Sequence, residues 1–85
     1  MNDDDTRHAQ ELAKLGRAIR EAREQRGLSE RQVADAVRGV SLAGVRAIEA
    51  GERPRLNYAE IVRLARALGV APGSLFVRAK GLSAE

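Results

Sequence analysis

Four glycines punctuate this chain. Gly27, Gly39, Gly51 and Gly69 each follow a stretch whose apolar residues recur at helical spacing, and each precedes a helix-starting residue: Ser29, Ser41, Asn57 and Pro72 in turn. After Gly27, stop and start signals repeated at such short intervals leave room only for brief helices. Aromatic residues make up 2% of the sequence, and no alternating β-branched run marks a half-buried strand, so an all-α fold is expected.

The spacing predicts five helices. The first runs from about Thr6 to Arg26 with Leu12, Leu15, Ile19 and Ala22 on one face, and Asp3 to Asp5 lie before it as a flexible acidic segment near its positive end. In GLSERQVADAVRG, Ser29 and Gln32 have the spacing of a capping box, Val33, Ala34 and Val37 face inward, and Gly39 ends the helix. GVSLAGVRAIEAG follows, with Ser41 as cap and Val45 and Ile48 inward. Asn57 and Glu60 form a second capping box ahead of Ile61, Leu64, Ala65 and Leu68, and Pro72 opens a fifth helix carrying Leu75 and Phe76 to the core. Residues 6–77 are thus expected to form one domain, with a frayed tail at 78–85.

A chain of 85 residues has little room for an active-site cleft. It has no cysteine and a single histidine, His8, which reads as a solvated helix residue. Ser29 and Ser41 read as caps, since no base is positioned to activate them. With no glycine-rich phosphate loop and no spaced carboxylate pair, no enzyme and no cofactor is expected. No apolar run approaches the roughly 20 residues that cross a bilayer, and MNDDDTRHAQ is acidic where a secretory signal would be basic, so no membrane partner is expected and the cytoplasm is the expected location.

The formal charge of +3 hides an uneven distribution: between Leu15 and Lys80, thirteen basic side chains face seven acidic ones. Nearly all of the bases are arginine, which suits planar contacts to phosphate or guanine, although the accompanying abundance of alanine points equally to coding bias. Several arginines, among them Arg17, Arg20, Arg63 and Arg66, are expected to form solvated faces paired with Glu21, Glu24 and Glu60.

Two short helices meeting at a turn with Gly39 and Val40, behind a longer first helix, have the spacing of a helix-turn-helix. LGRAIREAREQRGLSERQVADAV, VSLAGVRAIEAGERPRL and YAEIVRLARALGVAPGSLF together resemble the lambda-repressor-like, Cro and XRE-type DNA-binding domain. The likeness covers nearly everything from Leu15 to Phe76. It implies a five-helix domain in which Leu42 to Ala50 is the recognition helix of a bacterial transcription regulator. Leu42, Ala43 and Ala47 would match base-contacting positions, with Arg46 beside them. Ser29 and Glu30 would match phosphate-gripping positions, and Arg53 and Arg55 would match a basic stretch on the backbone of the other strand. Arg31 and Arg38 are further phosphate candidates, and Arg23 with Glu49 would match an internal ion pair. Such domains usually bind double-stranded DNA as pairs, with half-sites about 34 to 36 Å apart, so a homodimer formed on DNA is expected.

Three departures from that pattern stand out. Glu30 replaces the common glutamine, and a carboxylate near phosphate costs attraction. Arg38 reads as an insertion in the turn. The recognition helix carries Leu42, Ala43, Gly44 and Ala47 where polar readers are usual. Arginine can pair with guanine and alanine can touch a thymine methyl, so Arg46 is expected to supply most direct readout. The alternative is a protein-interaction module, as in some bacterial cell-shape and accessory proteins or an antitoxin-type subunit, docking a partner on the Leu42, Ala43, Ala47 and Ala50 face.

Overall fold

The computed structural model of the protein describes residues 3–81, and all the regular elements among them are helical. They are α1 (Asp3–Gln25), α2 (Glu30–Ala36), α3 (Leu42–Glu49), α4 (Tyr58–Leu68) and α5 (Pro72–Gly81). The helix starts are built from local bonds. Ser29 Oγ accepts the Gln32 N–H at 3.0 Å while Gln32 Oε1 accepts the Ser29 N–H at 2.7 Å, and Asn57 with Glu60 repeats this reciprocal box ahead of α4. Ser41 Oγ accepts the Gly44 N–H at 3.0 Å at the start of α3. Each cap satisfies N–H groups that no earlier turn can reach, a contribution of about 1 kcal/mol.

α1, α3 and α4 close alike, each on a left-handed glycine followed by an N–H that reaches back five residues: Leu28 to Arg23, Glu52 to Ala47 and Val70 to Ala65. α2 does not. It stops at Ala36, and Val37 leaves in an extended conformation before Gly39 turns the chain at φ 84°. The glycine therefore shapes the corner and does not cap the helix, as its position had suggested. Val37 and Val40 are both buried at the ends of this corner while Arg38 and Gly39 are exposed, so the apolar pair anchors the turn and Arg38 extends it outward.

The core draws on all five helices. Ile19, Val33, Val45, Ile48, Leu64, Leu68 and Leu75 are essentially sealed from solvent, and α1 packs on α3 and α5, α2 on α3 and α4, and α4 on α5. Three further sequence expectations need correction. Asp3 to Asp5 form the first turn of α1 and are not a flexible lead-in; negative charge is favoured at that end of a helix. Arg78 to Gly81 continue α5, held by the burial of Ala79 and by Arg78 Nη1 donating to Glu21 at 3.2 Å and Gln25 at 2.9 Å on α1; the rest of the expected tail, 82–85, lies outside the described residues. Phe76 is 43% exposed and does not enter the core. Leu75 and Ala79, one turn apart, face inward, which rotates Phe76 onto Tyr58 at a ring-centroid distance of 6.4 Å.

Candidate nucleic-acid interface

The rear of α3 is fixed by an unusually close approach to α1. A Cβ placed on Gly16 would lie 2.5 Å from the Ile48 carbonyl oxygen and 2.6 Å from that of Glu49, so no larger residue fits unless one helix moves. Nearby, Gly51 is pressed against the backbone of Ala13. The first helix thus grips the C-terminal end of α3. Sequence reasoning passed over Gly16, although a glycine between Leu15 and Ile19 on the apolar face of a helix is a signal of close packing.

Further along α1 the same end is tied electrostatically. Arg23 Nε donates to Glu49 Oε2 at 2.7 Å and Nη2 to Oε1 at 3.1 Å, with 12% and 5% of the two side chains exposed. Arg23 Nη1 also donates to the Leu28 carbonyl at 2.9 Å, joining the turn before α2 to the same fork. The hydrogen bonds to Glu49 outweigh burial and raise the Arg23 pKa above its ordinary value. A raised cationic group stabilises the fold fully below its unfolded pKa and loses that effect only as pH climbs through the folded value, so this guanidinium stays charged far beyond neutrality.

With its rear held, α3 turns a distinct edge outward. Val45, Ile48 and Glu49 are buried, Leu42, Gly44 and Ala47 are half-buried, and Ala43, Arg46 and Ala50 are exposed. The alanine edge is therefore not turned into the core. Arg46 is the long side chain of this edge, and its Nε donates to Glu30 Oε1 at 3.3 Å across the corner between α2 and α3.

The remaining sequence-derived candidates differ in their surroundings. Arg31, Arg38 and Arg55 are exposed, and Ser29 is exposed with its hydroxyl engaged as the α2 cap. Arg53 has a role in the fold that its sequence position did not disclose: Nη2 donates to Glu60 Oε2 at 2.6 Å, and the guanidinium lies beside Gly44. Glu60 is buried and bridges Arg53 and the Asn57 N–H, so one carboxylate ties the segment after α3 to the start of α4. It is thus withdrawn from the surface pairing with Arg63 and Arg66 expected of it. His8, expected to be solvated, is exposed and hydrogen-bonds the Pro54 carbonyl at 3.3 Å, linking α1 to that segment as well. No helix among the described residues is long and apolar enough to cross a membrane.

Two short helices meeting at a fixed corner, the second with its rear clamped and its front edge exposed, define a small helix-turn-helix domain, the general architecture of DNA-binding regulators. Residues 14–77 match the family model of the helix-turn-helix domain, and the chain belongs to that family. No curated protein matches the sequence.

Proposed function

We propose that the protein is a sequence-recognising transcriptional regulator that inserts α3 into the major groove of double-stranded DNA. The observation that carries this reading is the exposed Arg46 at the middle of an otherwise smooth α3 edge whose opposite side is locked to α1. Arg46 reads a guanine through O6 and N7, while Leu42, Ala43 and Ala47 supply shape and thymine-methyl contacts. Arg31, Arg38 and Arg55 take phosphates, with Ser29 at the start of α2 beside them, while Arg53, expected in the same role, is engaged by Glu60. Two copies meet on the DNA, one per half-site. The protein binds and does not catalyse.

Three phosphate-bound arginines per protein molecule imply a log–log salt slope near −2.7, which is about a fortyfold weakening between roughly 50 and 200 mM salt. Fluorescence anisotropy with mixed-sequence duplexes measures it. An affinity that stays flat over that range refutes the reading. A second reading has support in the exposure of Ala43 and Ala50 beside half-buried Leu42 and Ala47, an edge smooth enough to receive a partner helix. Absence of any duplex binding at low salt would favour it.

A further inference from the structure

Glu30 stands at the first position of α2, beside the proposed phosphate contacts, and its carboxylate faces the Arg46 guanidinium across the corner. It accepts from Arg46 Nε at 3.3 Å, and its charge contributes to the raised pKa of Arg23. Glu30, Arg46, Arg23, Glu49, Arg20 and Ala50 line one open polar cleft of about 310 Å³ between α1, α2 and α3. The largely buried Arg23–Glu49 fork lines the same cleft and ties α1 to the end of α3 there.

Two simpler roles for Glu30 fail on physical grounds. A carboxylate repels phosphate, so it cannot strengthen a backbone grip. The Glu30–Arg46 pair leaves 30% and 63% of the two side chains exposed, and ion pairs so open to solvent add little stability. Orientation remains. An arginine has N–H donors at Nε and at both terminal nitrogens, and only Nε is engaged by Glu30, which leaves the end-on edge of the guanidinium available for bidentate pairing. A long, exposed side chain biased by a bond at Nε gives up in advance part of the freedom it would otherwise lose on meeting a base.

We infer that Glu30 is a positioning residue for base recognition: it holds Arg46 by Nε, presents the terminal edge of the guanidinium to guanine O6 and N7, and sets sequence preference at the expense of backbone affinity. This rests on the DNA-binding reading above.

The test is in vitro selection from a random-sequence duplex library with the wild-type protein, R46A and E30Q, alongside anisotropy on a mixed-sequence duplex at low salt. Glutamine at 30 keeps a good helix former at the start of α2 and removes the charge. The wild-type protein is expected to enrich a guanine in each half-site, and R46A to lose it. E30Q is expected to weaken that one preference by roughly fivefold or more, the low end of what an arginine–guanine pair provides. It should leave preferences elsewhere intact and bind the mixed duplex as tightly as wild type or tighter. In the free protein, the Arg46 Nε–H resonance should shift in E30Q, a readout independent of DNA. Unchanged base preference in E30Q overturns the inference, as does an equal loss on selected and mixed duplexes, or a guanine preference that R46A does not remove. Failure of the wild-type protein to bind any duplex overturns the DNA-binding reading together with it, so the two failures are told apart by which protein shows them.

Discussion

Replacing Gly16 by alanine sets a local preference against a tertiary constraint. Helix propensity alone favours the change by up to about 1 kcal/mol, because glycine inside a helix is costly relative to alanine. The packing opposes it. The new Cβ would lie 2.5 and 2.6 Å from two backbone carbonyl oxygens of α3, where even close carbon–oxygen contacts sit at about 3.3 Å, so the helices must separate by about 0.8 Å. Those oxygens belong to the last turn of α3 and cannot swing aside as a side-chain tip could. Against rigid backbone the upper part of the overpacking range applies, about 2 to 3 kcal/mol, and after the propensity gain the expected net loss is about 1 to 2 kcal/mol. In a domain of this size that lowers Tm by about 5 to 15 °C. Gly73→Ala is the matched control, since nothing lies within 4 Å of its added Cβ and α5 should become slightly more stable. Thermal and urea unfolding followed by circular dichroism at 222 nm should move the two variants in opposite directions, with urea m-values unchanged. A Gly16→Ala protein as stable as its parent would refute the close α1–α3 contact as the determinant of α3 placement.

Glu49→Gln strands the nearly buried Arg23 and should cost about 3 to 5 kcal/mol in urea unfolding, whereas the double replacement R23M/E49L should recover much of that loss. Arg53 and Arg55 should separate by assay. R55A should reduce the salt slope of DNA binding by about 1 with little change in Tm, while R53A deprives buried Glu60 of its partner and should lower stability by about 1 to 3 kcal/mol. Equal Tm for the two variants would contradict the fold role assigned to Arg53.

The helix starts at Ser29, Ser41 and Asn57 were legible because every bond in them spans three residues, well within reach of sequence spacing. The corner was less so: Gly39 looked like a helix end, but burial of Val37 and Val40 decided where α2 stops. Phe76 was misplaced for a related reason, since apolar character alone does not say which of two adjacent side chains a ten-residue helix turns inward. The Arg23–Glu49 pair came from family likeness and not from spacing, as its partners lie 26 residues apart. Glu60 shows both kinds of information in one side chain. One oxygen completes the local box with Asn57, and the other reaches Arg53 on a different segment.

The amino-acid order by itself determined five helices, their caps and the basic surplus of the folded part, because these depend on neighbours along the chain and on composition. Tertiary structure decided which charges remain available at α3. Whether an arginine faces solvent or is held by a carboxylate depends on what packing brings beside it, and for Arg46, Arg53 and Arg23 that neighbour comes from another part of the fold.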